Sequence, residues 1–174
     1  MPDPPRSPHT SEYRTGSDQR TLRDALGCFA TGVTVVTCFD SQGRPFGITA
    51  NSFTSVSLEP PLLLVCVHKL AASAAALTAA GHFAVNVLQT GQQPDSIRFS
   101  TRDEDRFGNS DWSPGEYGAP VLGNSLSVFE CEHYAVHDGG DHHLLVGKVL
   151  KASFDPTLDP LLFFRGRYRR LHFD

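Results

Sequence analysis

The stretch SLSVFECEHYAVHDGGDHHLLVGKVLKASF, residues 125–154, holds two apolar-rich runs, 125–136 and 144–154, on either side of Asp138-Gly139-Gly140-Asp141. Val, Phe, Tyr and Leu recur through both runs, and the Asp/Gly spacer lets a chain reverse sharply, so two strands joined by a turn are predicted. A third run, 161–171, follows Asp155-Pro156. The earlier chain repeats the theme. Residues 62–68 and 82–88 are apolar runs of strand length, and Val33-Thr34-Val35-Val36-Thr37 is β-branched throughout. The turn composition of Asp40-Ser41-Gln42-Gly43 then predicts a hairpin whose return strand begins near Pro45-Phe46-Gly47-Ile48. Six or seven strands with few helices favour a barrel or sandwich over a doubly wound parallel sheet.

Between the strands, Leu22, Ala25, Leu26 and Phe29 recur at helical spacing behind a cap at Ser17 or Asp18, predicting an amphipathic helix over 18–30. Residues 73–80 read as a short Ala-rich helix closed by Gly81, and one helical turn is expected around 96–101. Thr49 to Ser57 is rich in hydroxyls and amides and reads as a polar loop, ended by Leu58-Glu59-Pro60-Pro61.

The 174 residues suffice for one hydrophobic core, and the 40% apolar and 20% charged fractions are those of a folded globular chain. A net charge of −4 gives no basic surface for nucleic acid. The longest apolar run, 62–67, has the length of a buried strand and not of a membrane span. Residues 1–16 are polar and Pro-rich without an apolar signal segment, and are expected to form a disordered tail ahead of a single domain over 17–174. Cys28, Cys38, Cys66 and Cys131 form no C-x-x-C pair, and read as buried, reduced thiols of a cytoplasmic protein.

Familiar catalytic signatures are missing. No G-x-G-x-x-G follows a strand, no G-x-S-x-G elbow occurs, and Gly147-Lys148 lacks both the upstream Gly and the following Ser/Thr of a phosphate loop. His133 and His137 share a strand face by parity, and His142 and His143 follow the glycine turn. No carboxylate is clearly placed to complete a metal site, so an exposed strand face is the expected reading, with no metal.

Five blocks of the sequence are nevertheless distinctive: LGCFATGVTVVT (26–37), GITANSFTSVSLEPP (47–61), FAVNVL (83–88), HDGGDH (137–142) and PLLFFRG (160–166). In order and spacing they resemble the flavin reductase-like family, which includes the small components of 4-hydroxyphenylacetate and phenol monooxygenases. That resemblance implies a mainly β fold, a split β-barrel of Greek-key, FMN-binding type with a few short flanking helices. It further implies a homodimer with flavin near the subunit interface. The implied activity is hydride transfer from NADH or NADPH to FMN or FAD, the diffusible reduced flavin serving a separate monooxygenase component.

The resemblance also implies site residues. Pro45, Phe46, Gly47, Ile48, Thr49, Asn51 and Ser52 would line the flavin, although Thr49 to Ser57 equally suits an ordinary polar loop. Cys66, Val67, His68, Ala72, Ser73, Arg98 and Phe99 would wrap its ribityl and phosphate side. Ser73, at a helix start, suits an anion or a plain N-cap. His142 matches the family histidine near the nicotinamide and is the candidate catalytic residue; a solvated turn histidine is the alternative. Phe163, Phe164, Arg165 and Gly166 would approach the nicotinamide cofactor, with Arg165, Arg167 and Arg169 expected on one strand face to meet its phosphates or to guard a sheet edge. Two other functions stay open: a barrel that keeps its flavin and transforms an organic substrate under a lid formed by 100–118, including Trp112 and Tyr117, or non-catalytic flavin or haem binding through His142 and His143.

Overall fold

A computed structural model describes residues 10–101 and 105–171. Its centre is a seven-stranded, wholly antiparallel sheet. In chain order the strands are β1 (Thr31–Gly32), β2 (Thr34–Phe39), β3 (Pro45–Ala50), β4 (Thr54–Leu58), β5 (Pro61–His68), β6 (His82–Val87), β7 (Trp112–Pro114), β8 (Pro120–Leu122), β9 (Ser127–Gly139), β10 (His142–Phe154), β11 (Leu162–Phe164) and β12 (Arg167–Arg169). The large sheet runs β3-β2-β6-β9-β10-β5-β4, while β1-β11-β12 and β7-β8 form two small ones. The helices are α1 (Gln19–Leu26), α2 (Ala74–Ala79) and α3 (Gln93–Ser100), the last entered through a 3₁₀ turn, Thr90–Gln92.

The expected polar loop over 49–57 is in fact two strand ends and a corner. Thr49 and Ala50 finish β3, Thr54 to Ser57 belong to β4, and only Asn51, Ser52 and Phe53 lie between them. Hydroxyl-rich sequence reads as loop because Ser lacks strand preference, but both strands lie at sheet edges, where one side meets water and polar residues cost little. The two edges are six strand spacings apart along the ladder, about 29 Å if the sheet were flat. The steps from Ala50 to Thr54 span at most about 15 Å. The sheet therefore curls until its edges approach at this corner.

Strand β2 explains its own composition. Residues 34 to 38 are all 0–2% exposed. Val36 and Cys38 face one core with Leu63, Val65, Val67, Phe83, Val85, Cys131, Leu145 and Leu77 of α2. Val33 and Val35 face a second, with Leu88, Phe99, Phe107, Leu122 and Leu161. A strand buried on both faces needs a continuous apolar run and not alternation. Thr37 and Asn86 are satisfied within it: the Asn86 amide donates to the Val35 carbonyl and its oxygen accepts from Leu122 N–H at 2.9 Å, tying β8 to the sheet.

Several expectations are corrected. The helix predicted over 18–30 stops at Leu26 and unwinds through turns at Cys28 and Phe29. Its apolar stripe meets no core: Leu26 and Phe29 are 67% and 78% exposed. Cys28 is exposed in consequence, unlike Cys38 and Cys131, whose thiols burial pushes up to about 12. His133 and His137 do not share a face, because the register shift opposite Val146/Gly147 inserts Tyr134 as a bulge and reverses parity. His133 instead bonds the Ala80 carbonyl through Nδ1.

The run 161–171 is a hairpin and not one strand. Its two-residue turn, Arg165-Gly166, has φ of +49° and +73°, the left-handed pair of a type I′ turn, for which Gly is suited at the second position. Arg165 thus leaves the strand face that Arg167 and Arg169 share. In the described part of 100–118, Trp112 opens β7, and its ring packs on Phe39 and Phe107. Of the expected tail, residues 1–9 lie outside the described residues, and Arg14 and Ser17 close a turn before α1.

Candidate functional site

Strand β3 is held by its backbone neighbours more than by its side chains. A Cβ at Gly47 would sit 2.7 Å from the ring of Phe99, so only glycine lets α3 pack this closely. Phe99 is fully buried as the floor beneath that point and meets Phe107 edge to face. The Gly47 carbonyl accepts from Ser73 Oγ at 2.8 Å and from Arg106 Nη1 at 2.7 Å. Ser73, at the N-cap position of α2, is 1% exposed, and its hydroxyl makes no cap hydrogen bond because it turns to the Gly47 carbonyl. Arg106, which sequence reasoning passed over, takes the basic position beside this strand. Its Nε is buried without a partner. An isolated Arg in a charge-rich, aperiodic segment gave no signal to find it by.

Thr49 Oγ1 donates to the Ser96 carbonyl at 2.6 Å, and Ser96 Oγ meets Tyr168 Oη at 2.8 Å, so β3, α3 and β12 are linked in series. At the corner, Ser52 Oγ both donates to the Cys66 carbonyl and accepts from its N–H, at 3.0 and 2.9 Å. Ser52 is committed to holding the corner against β5. Phe46 and Ile48 pack half-buried on the larger core and Val67 is buried within it, so Val67 offers only backbone outward. Phe46 also shares with Ala72 a shallow concavity of about 460 Å³ between α2 and the β2–β3 turn.

A larger groove, about 890 Å³, runs between α1 and the β11–β12 turn. It gathers Asn51, Phe163, Arg165 and Gly166 from the predicted set, with Arg23, Phe29 and Thr31. Arg165 is fixed there by its N–H, which donates to the Gly27 carbonyl at 2.9 Å, and its guanidinium lies over Phe164 at 5.0 Å. The Thr31 hydroxyl is buried at this groove without a hydrogen-bond partner. An orphaned hydroxyl, an exposed amide at Asn51, aromatic planes and two cations suit a large planar ligand with polar edges and phosphate. Arg98 is not among them: Asp95 and Ser110 hold its Nη1 at 2.8 and 2.6 Å.

The third part is the tip of the β9–β10 hairpin. His142 pairs in register with His68, and the two rings meet edge to face at 5.0 Å. Asp141 Oδ1 lies 2.7 Å from His142 Nδ1. That hydrogen bond, with the nearby imidazoles of His142 and His68, holds the Asp141 carboxyl below its ordinary range. Lys69 pairs with Asp138 across the turn, and its N–H donates to the Asp141 carbonyl at 3.0 Å. Among the described residues no group of three or more His, Cys, Asp or Glu could hold a metal ion.

Comparison with known proteins places these features in context. The reductase subunit Stc3 of stachydrine N-demethylase from Rhizobium meliloti is 48% identical over 151 residues, 87% of this chain and 65% of that one. The reductase subunit HsaB of a flavin-dependent monooxygenase from Rhodococcus jostii is 45% identical over 87% of this chain and 77% of that one. The chain spans 65% of the length of Stc3 and 48% of that of a probable flavin reductase from the same Rhizobium. The solved structure of the Streptomyces globisporus NADH:FAD oxidoreductase SgcE6, in complex with NAD and FAD fragments, superposes with a TM-score of 0.87 at 43% identity, covering 93% of this chain and 98% of that one. The family model for the flavin reductase like domain matches residues 26–172, and the chain belongs to that family.

Proposed function

We propose that this protein is an NADH-dependent flavin reductase that transfers hydride to FMN or FAD and releases reduced flavin to a separate monooxygenase component. The observation that carries the reading is the groove joining Asn51 to Phe163, Arg165 and Gly166 around the orphaned Thr31 hydroxyl. Relatives named as NADH-dependent FAD reductase and as monooxygenase reductase subunit support the donor and the role. NADPH remains a second donor to be compared.

Hydride transfer is chemistry that the two bound cofactors supply between their own rings. The chain needs no nucleophile; its residues bind, orient and exclude water. Positioning of this kind is worth on the order of 7 kcal/mol or more in well-oriented cases. In this reading the β3 backbone from Pro45 to Thr49, the Asn51 amide and the backbone of the β5 end at Cys66 to His68 would hold the flavin. Phe163 and Phe164 screen the ring face from water, Arg165 meets phosphate, and His142 orients the nicotinamide.

The same reading closes the curled sheet into a split barrel, supported by the three-residue corner between its edges, within one domain over 17–174. It makes the protein a homodimer, supported by the exposed Leu26, Phe29 and Leu58. The setting is cytoplasmic, supported by four free cysteines. Mixing purified protein with FMN or FAD and excess NADH or NADPH in air tests the function. Rapid loss of nicotinamide absorbance that depends on added flavin is expected. A tightly yellow protein that oxidises neither nicotinamide overturns it.

A further inference from the structure

Two imidazoles meet where β5 ends beside the β9–β10 turn, and their hydrogen bonds fix opposite tautomers. The Leu70 N–H donates to His68 Nδ1 at 3.1 Å. A ring nitrogen that accepts carries no proton, so the proton of His68 sits on Nε2. Asp141 Oδ1 lies 2.7 Å from His142 Nδ1. A carboxylate only accepts, so His142 carries its proton on Nδ1 and, as a neutral ring, a lone pair on Nε2. The two rings are cross-strand partners in contact at 5.0 Å. The remaining nitrogen of His68 is then a donor and that of neutral His142 an acceptor.

Resting on the nicotinamide role of His142 given above, we propose that His68 is a specificity-determining residue for the hydride donor. Its Nε2–H and the Nε2 lone pair of His142 form a donor–acceptor pair matched to a primary carboxamide, which offers one carbonyl oxygen and one NH2. Asp141 is the positioning residue that sets the His142 tautomer, as the Leu70 N–H sets that of His68. The Lys69 contacts to Asp138 and to the Asp141 carbonyl keep the turn against β5 and the rings together. A carboxylate or methyl ketone in place of the carboxamide mismatches at least one of the two nitrogens.

The test loads the protein with oxidised FMN and titrates it with NAD⁺ and with its 3-acetylpyridine analogue, following flavin fluorescence. Both nucleotides are oxidised, so no hydride moves. The analogue keeps the carbonyl and lacks the NH2. The unaltered protein should bind NAD⁺ about tenfold more tightly than the analogue, the worth of about one hydrogen bond. His142→Ala should lose that discrimination. His68→Ala should weaken both nucleotides about tenfold, and His68→Gln, which keeps an N–H at similar reach, should recover most of the loss. Absence of discrimination in the unaltered protein, unchanged NAD⁺ affinity in His68→Ala, or no recovery in His68→Gln overturns the proposal. Turnover of NADH with free flavin is measured alongside. Its absence from the unaltered protein defeats the functional reading itself, whereas turnover with unaltered binding by His68→Ala defeats this inference alone.

Discussion

Two hairpins carry the residues proposed to meet the nicotinamide cofactor, and they are built in opposite ways. The β9–β10 hairpin has thirteen residues in each strand, lies in the middle of the large sheet and buries Leu145 completely. Its turn is regular, with Gly140 at φ +78°, an ion pair between Lys69 and Asp138 and a hydrogen bond between Asp141 and His142. The β11–β12 hairpin has three residues a side, pairs among the described residues only with the two-residue β1, and turns on an arginine held at φ +49°. One hairpin is scaffold first and site second. The other spends conformational energy at the site and depends on its neighbours for its shape.

The contrast breaks most visibly in the long hairpin. Leu145→Ala removes a fully buried side chain from the larger core and should cost about 3 kcal/mol of unfolding free energy, measured by urea denaturation, with a lowered melting midpoint. The half-buried Phe163 of the short hairpin packs against Tyr168 at 5.5 Å. Phe163→Ala should cost only about 1 kcal/mol while raising KM for NADH severalfold, so stability and function part company there. A loss as large as that of Leu145→Ala would make the two hairpins equivalent and erase the distinction.

Arg165→Gly sharpens the comparison further. Relief of the left-handed strain should raise stability by up to about 1 kcal/mol, while loss of the cation raises KM for NADH. A variant that is less stable would show that the Arg165–Phe164 stacking outweighs the strain. The smallest expected effect is acid-induced loosening of the long hairpin's tip. Lys69 holds the carboxyl of Asp138, and His142 that of Asp141, below the ordinary value of 3.8. Folded values below the unfolded ones stabilise above pH 3.8 and lose that contribution as pH falls through them. Faster amide exchange at Lys69 and Gly140 below that pH, with the β9–β10 ladder still protected, is the expected result.

What the sequence revealed follows the same division. The β-branched run of β2 and the apolar runs of β5, β6, β9 and β10 were legible because burial on one or both faces dictates their composition. The edge strand β4 was not: it reads as loop because Thr54, Ser55 and Ser57 answer to solvent more than to a core. The turn at Arg165-Gly166 was hidden because arginine is an unusual choice for a left-handed position. Asn51, Phe163, Arg165 and Gly166 were singled out by motif resemblance, and the structure gathers them in one groove. The inward turn of Ser73, the ties on Arg98 and the arrival of Arg106 depend on long-range hydrogen bonds that no local pattern encodes.

The corner at Asn51 to Phe53 has a consequence for the order in which the molecule assembles. It sets β3 close to β4 early, because the two are near in sequence, yet these strands gain their ladders only from β2 and β5. Strand β5 must in turn wait for β10, with Val67 paired to His143 far along the chain. Most of the loop-closure entropy must therefore be met before the distant pairings compensate for it, which sets refolding in the range of milliseconds to seconds, on the order expected for domains dominated by non-local contacts. A chain stalled at that stage would expose β5, the most continuous apolar strand of the sequence, without its partner. On this view the late-arriving β9–β10 hairpin, besides carrying His142, is the element whose docking ends the aggregation-prone phase of folding.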